Sequence, residues 1–529
     1  MKIFFILFLS LLLSGNTAML YAQTKANAFY QNPILHADYS DPDVIRVGDD
    51  YYMIASSFNC VPGLPILHSK DLVHWKLRGY ALNKLNYADG FDKPQHGNGI
   101  WAPSIRYHKN EFYIYFPDPD HGIYLTKAKN IDGPWSEPVL VEAGKGLIDP
   151  CPLWDNNGKN YLVHAYAGSR AGFKSIIVIK EMNAAADKTT SDAVLIYDGH
   201  DKDATVEGPK IHKRNNYYYV FAPAGGVSTG WQIVLRSKHI YGPYERRMVM
   251  AQGNSTVNGP HQGAWVQTKT GEDWFLHFQD KEAYGRVVHL QPMRWKNDWP
   301  IIGEDKDGDS VGEPVMKYRM PAGTVVSSSF NIEETDECNG TGLGLQWQWH
   351  AKPQEGWVFP YPEKGALRMN AVQDSANNLW QLPNLLLQKL PAEKFTATTK
   401  FLFSPKTIGE RFGFVIMGSS YAYLSLVKKN DGLYLSYAVC NNADKGKAEE
   451  EKLLSNVQPG GLFFRVTVDT GAVCHFSYST DGNSFTSVGE KFVAKPGRWI
   501  GAKIGFFCRR PLKTNDAGFA DIDWFRIEK

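Results

Sequence analysis

Nothing in this 529-residue chain brings two cysteines close together. The six, at positions 60, 151, 338, 440, 474 and 508, form no CxxC pair, which excludes a zinc ribbon and a dense disulfide scaffold. Net charge is nearly absent as well. Against 55 Asp and Glu stand 57 Lys and Arg, giving +2, and no basic run is dense enough to track a phosphate backbone, so a nucleic-acid binder is excluded. Helical periodicity is scarce before residue 320, and no apolar run after the N-terminus is long enough to span a bilayer. Aromatic residues, in contrast, are plentiful: Phe, Tyr and Trp make up 13% of the chain, a share that suits β-rich cores and sugar-binding surfaces alike.

The N-terminal "MKIFFILFLSLLLSG" joins one lysine to an apolar stretch of about a dozen residues, shorter than a membrane span. Small and polar residues follow as far as "AMLYAQ", so residues 1–22 read as a secretory signal cleaved after Ala22. The mature chain is then expected in the periplasm or outside the cell, with no membrane span. No cysteine precedes Cys60, so a lipid-anchored N-terminus is not expected. Export would permit a disulfide among the last four cysteines.

One pattern occurs five times: a polar or special residue, a short strand, a turn, then an aromatic-rich strand. The copies are "DPDVIRVGDDYYMIAS" from Asp41, "WAPSIRYHKNEFYIYF" from Trp101, "DPCPLWDNNGKNYLVHAY" from Asp149, "EGPKIHKRNNYYYVFAP" from Glu207 and "HQGAWVQTKTGEDWFLHF" from His261. Their turns use residues that tolerate positive φ or bond their own backbone. The copies begin roughly fifty to sixty residues apart, enough for one four-stranded blade each, and predict a five-bladed β-propeller over residues 28–320. A pair of β-sandwiches is the alternative. In a propeller the inner strands line a central channel, so Asp41, Trp101, Asp149, Glu207 and His261 converge on one end of the axis. Asp49 and Asp50 occupy the turn of the first copy, and Asp43 has no counterpart in the others, which leaves it structural or a support for its neighbours.

A pair of carboxylates flanking a glycosidic bond supplies a general acid and a general base, and a third close by raises the pKa of the acid by repulsion. Here the chain resembles glycoside hydrolase family 43, inverting pentosidases built on five-bladed propellers. The stretches that carry the resemblance are "NPILHADYSDPDVIRVGDDYYM", "SSFNCVPGLPILHSKDLVHW", "GIWAPSIRYH", "GLIDPCPLWDNNGKNYLV", "ATVEGPKIHKRNNYYYVF" and "YGRVVHLQPMRW". The resemblance implies Asp41 as general base, Glu207 as general acid and Asp149 as the aspartate that tunes and orients the acid. It also implies Arg286 directed at the sugar, and His261 on the axis near a water or a calcium ion. Phe58 and Trp101 join them as candidate sugar-contacting aromatics. The second reading of Phe58, Trp101 and His261 is as core residues, and that of Arg286 is as a surface or salt-bridge arginine.

From about residue 325 to 529 short strands follow one another without helices, predicting a two-sheet sandwich. It resembles the concanavalin-like, jelly-roll module appended to some family-43 xylosidases and arabinofuranosidases. In such enzymes a loop of the module can reach the pocket, and Phe506 or Phe507 of "IGFFCRR" is the expected contributor, Phe507 first; a buried strand pair is the alternative. The resemblance thus implies an inverting exo-glycosidase that needs no cofactor for its chemistry. Its first-choice target is a terminal α-L-arabinofuranosyl residue of arabinoxylan, arabinan or xyloglucan side chains, with β-D-xylosyl as the alternative. An endo-arabinanase and a non-catalytic glycan-binding propeller are the more distant readings.

Overall fold

The computed structural model describes residues 28–324 and 330–529; the expected secretory signal lies outside them, as do residues 325–329 at the start of the expected second unit. Five four-stranded antiparallel sheets come first, each with its strands in chain order. They run from Asp43 to Leu82, Ser104 to Ala143, Leu147 to Asp198, Lys210 to Met250, and His261 to Ile302, and are called blades one to five below. The innermost strands of blades one to four neighbour one another in turn, that of blade five packs on the second strand of blade four, and it meets that of blade one, which closes the propeller. A two-stranded ribbon, Phe29–Gln31 against Lys317–Arg319, ties the start of the described chain to the exit from blade five. Asn32 strengthens this tie, donating to Leu290 O and Val315 O and accepting from Leu290 N.

Local chemistry sets the blade geometry. The first hairpins of blades two and four turn on Lys109–Asn110 and Asn215–Asn216, all four with positive φ, as two-residue turns matched to the twist of the strands require. Aromatic residues of the second strands then pack between blades: Tyr115, Phe116, Tyr161, Tyr219, Phe221 and Phe275 are fully buried. The only α-helix among the described residues is the four-residue Gly168–Ala171.

The rest of the chain forms two facing sheets, one of eight strands and one of seven. Alternation explains the packing: along Gly461–Asp469 the buried positions are Leu462, Phe464, Val466 and Val468, one face of a period-two strand. Phe401, Phe412, Phe414, Phe506 and Phe525 fill the space between the sheets. All six cysteines are buried free thiols.

The two units share one hydrophobic cluster, in which Ile54, Val61 and Leu85 of the propeller side join Trp347, Trp349 and Trp357. Polar contacts fix their register. Val61 bridges Trp349 through the backbone, Asn59 Nδ2 donates to His350 O at 2.6 Å, and Gln348 Nε2 donates to Pro62 O at 2.8 Å. The Tyr284 hydroxyl donates to Glu393 O and accepts from Ala472 N, both at 2.8 Å. The sandwich is thereby held against blades one and five, beside the start of the strand that carries Arg286.

Candidate active site

Asp41 sits one turn before the inner strand of blade one and Asp149 early in the inner strand of blade three. Both have left-handed backbones, φ 57° and 58°. For a non-glycine residue that conformation costs about 1–3 kcal/mol, and it persists where the surroundings over-determine it. At Asp149 the strand pairing also slips between Ile148 and Cys151, which turns the carboxyl toward the axis. Blade five repeats the slip between His261 and Gly263.

One cavity of about 410 Å³ gathers Asp41, Phe58, Trp101, Asp149, Glu207, His261 and Arg286. A larger groove of 520 Å³ beside Trp274, Trp295 and Arg319 includes none of these carboxyls. The chemistry, more than the volume, identifies the site. The Ser56 hydroxyl donates to Asp41 Oδ2 at 2.5 Å, and Arg286 Nη1 lies 3.3 Å from Asp41 Oδ1. His261 Nε2 is 3.0 Å from Glu207 Oε1. Glu207 is the most open of the three, with its side chain 25% exposed, as suits a group that must meet a leaving oxygen.

Asp149 is the carboxyl whose protonation the site perturbs most. Burial pushes it up to about 7, and the nearby charges of Glu207 and Asp41 push the same way. The Gly208 N–H, 2.7 Å from Oδ2, and the charge of Lys210 pull against the rise. Gln262 Nε2 holds the other oxygen at 3.2 Å. Lys210 is wholly buried between blades, with its ammonium on Pro103 O and Ser104 Oγ, on the side of the site that faces Asp149.

The other aspartates of the first hairpin separate cleanly. Asp43 Oδ2 accepts from Ile105 N and Arg106 Nη1, both at 2.7 Å, and joins blade one to blade two. Asp49 and Asp50 pair with Lys269 and Lys70 at 2.8 and 2.6 Å in the turn.

Phe507 does not reach the pocket. It is wholly buried in the sandwich, its ring against Tyr423. The residue that does arrive from this unit is Trp499, in the loop "KPGRWIG". Its backbone is also left-handed, φ 62°; its ring meets Trp101 edge to face at 6.0 Å, and the Arg286 guanidinium lies 5.7 Å from its centroid. Phe58, 2% exposed, packs behind Trp101 with Cys60 and Ile500. Trp101 itself is held by its indole N–H on Gly97 O, with Arg170 over the ring.

A further acid supports the arrangement from behind. Buried Asp38 accepts from Arg286 N through Oδ1 and from Gly501 N through Oδ2, each at 2.9 Å. One carboxylate thus fixes both the arginine of the pocket and the loop that delivers Trp499. Sequence reasoning missed Asp38, Ser56, Gln262 and Trp499. Trp499 alone left a signal, a Pro-Gly turn followed by an exposed aromatic.

The donors beside His261 do not suit a directly held calcium, which takes six to eight oxygens. One ring nitrogen engages Glu207, and the other is buried without a partner. Among the described residues, three acidic or ligating side chains come within mutual reach only at Asp305, Asp307 and Asp309, none of which lines the pocket.

This geometry has relatives. A family model described as glycosyl hydrolases family 43 matches residues 30–300, and one described as a beta xylosidase C-terminal concanavalin A-like domain matches residues 335–528. A putative beta-xylosidase of Xylanibacter ruminicola is 38% identical over 91% of this chain and 86% of its own length. A non-reducing end alpha-L-arabinofuranosidase of Bacteroides ovatus is 29% identical over 94% of this chain and 95% of its own. The crystal structure of a family-43 protein from Bacillus licheniformis superposes with a TM-score of 0.82 at 26% identity, covering 94% of this chain and 99% of that one. A five-bladed propeller with three acidic groups on its axis, a matching sandwich behind it and relatives along nearly the whole chain lead to one conclusion: the protein belongs to glycosyl hydrolase family 43.

Proposed function

We propose that this glycoside hydrolase is an inverting, exo-acting pentosidase that removes a terminal β-D-xylosyl residue from a plant-wall glycan or its oligosaccharides. The observation that carries the reading is the single cavity in which Asp41, Asp149 and Glu207 meet Arg286 under a tryptophan lent by the sandwich. Glu207, the most accessible acid, protonates the departing glycosidic oxygen. Asp41, held by Ser56 and Arg286, takes a proton from the water that attacks the opposite face. The geometry expected of this pair is a separation of about 6.5–9.5 Å, which leaves room for the water. Asp149 keeps a third acidic charge near the acid and orients the site through Gly208 and Gln262.

The relative with the higher identity is named a xylosidase, which moves xylose ahead of the arabinofuranose favoured by sequence reasoning. The Bacteroides ovatus relative supports α-L-arabinofuranosyl as the second reading. Trp499 at the pocket edge supports exo action over an open endo cleft. All three carboxyls are in place, which disfavours a binding-only role. Nitrophenyl β-xyloside and nitrophenyl α-arabinofuranoside test the sugar, and a product NMR time course tests inversion. Glu207→Ala and Asp41→Ala should each lose more than about a hundredfold in kcat, the range of a positioned acid or base. Losses under tenfold, or retained configuration, would overturn the assignment.

A further inference from the structure

At the seam between the two units a lysine is buried without an oxygen acceptor. Lys503 opens the strand Lys503–Arg510 of the sandwich and is 2% exposed. An ammonium taken out of water is costly to keep unless strong acceptors surround it. Lys210, buried likewise, has a carbonyl and a hydroxyl. The one hydrogen-bonding partner of Lys503 among the described residues is a sulfur, Cys60 Sγ, 2.9 Å from Nζ.

None of the other five thiols meets a lysine. Cys151 faces the Arg106 guanidinium, which does not lose its proton and is no nucleophile. Cys338, Cys440 and Cys474 point at backbone carbonyls. Cys60 also has a special place. It clusters with Phe58 and Trp101, both of which line the catalytic cavity, so its sulfur lies behind the wall of a space that small solutes enter.

We infer that Cys60 and Lys503 are a modification site, joined by a sulfenamide crosslink when the protein meets a peroxide. The sulfur attacks one peroxide oxygen and the O–O bond breaks. A sulfenic acid forms, and the other oxygen leaves as water with the thiol proton. Sulfur has then lost two electrons and the peroxide has gained them. The Lys503 ammonium gives one proton to solvent, and the free amine attacks the sulfur. An N–S bond forms, the S–O bond breaks, and hydroxide departs with an amine proton as a second water. No further oxidant is consumed. The link closes a loop of 443 residues and ties the segment that carries Phe58 to the strand that follows Trp499.

The test treats the native full chain and the variants Cys60→Ser and Lys503→Arg with hydrogen peroxide. Each is digested without reductant, and its peptides are weighed. The native protein should yield the Cys60 and Lys503 peptides as one linked pair, lighter than their sum by two hydrogens and separated again by dithiothreitol. Neither variant should yield it. Peroxide should also raise the native melting midpoint by several degrees, because a crosslink across so long a loop restricts the unfolded chain, and reduction should reverse the rise. Lys503→Arg, which keeps the charge, should show no rise. Cys60 recovered as a free thiol or as an unlinked sulfinic acid, or a linked pair that retains an oxygen, would overturn the sulfenamide. If a variant does not fold, the native peptide masses decide alone.

Discussion

Replacing Asp149 by asparagine should stabilise the protein at alkaline pH and abolish its activity. Folded Asp149 is held at about 7 against an ordinary 3.8, chiefly by burial and then by Glu207 and Asp41. Between those values the folded state binds more proton than the unfolded one, so stability falls as pH rises through the window. The full difference is on the order of 4 kcal/mol, complete above pH 7 and absent below the ordinary value. Asparagine is close in shape to the protonated acid and does not titrate. Its oxygen can still accept from Gly208, while Gln262 turns its own amide to meet the new NH2 group. After a pH-independent loss of about 1–3 kcal/mol from imperfect pairing, the variant should be more stable than the native enzyme by about 1–3 kcal/mol at pH 8 and less stable than it by that same loss at pH 4. Urea unfolding at the two pH values measures this. A stability difference independent of pH, or one that favours the native enzyme at pH 8, would refute the electrostatic account. Hydrolysis of either nitrophenyl pentoside should fall at least a hundredfold.

Two further predictions concern residues behind the pocket. Ser56→Ala removes a buried hydrogen bond to Asp41 and should lower kcat about tenfold while moving stability by about 1 kcal/mol, as paired kinetic and urea measurements will show. Asp38→Ala leaves the buried N–H groups of Arg286 and Gly501 without an acceptor. It should destabilise by about 2–4 kcal/mol, and pentosidase activity should fall with it because Arg286 and Trp499 both lose their anchor; unchanged thermal unfolding would contradict this.

The propeller was legible because its signals are local and recur. Five strand starts share one register, and turns such as Asn215–Asn216 need residues that accept positive φ. The same register separated Asp41 from Asp43, Asp49 and Asp50. What escaped was non-local. Phe506 and Phe507 point to opposite faces of one strand, so one of them had to leave the intersheet core. The sequence does not reveal that Leu379, Leu382 and Leu385 cover that outer face and bury Phe507 too. Asp38 and Gly501 are 463 residues apart, and no spacing rule connects them. The choice between xylose and arabinofuranose depends on loop shape around a shared set of carboxyls, and a strand pattern does not encode it.

At the seam between the two units, a Cβ on Gly501 would lie 2.7 Å from Gly285 N, and one on Gly285 would lie 2.5 Å from the Asp38 carboxyl carbon. The two backbones meet there with no room for a side chain, directly beneath Arg286 and Trp499. The sandwich is therefore not an interchangeable attachment. A sandwich grafted from another enzyme would have to bring a glycine at this point and an aromatic two residues before it. A side chain at either glycine would push the two backbones apart one residue from Arg286 and two from Trp499, so the pocket would feel a substitution that itself never meets the sugar.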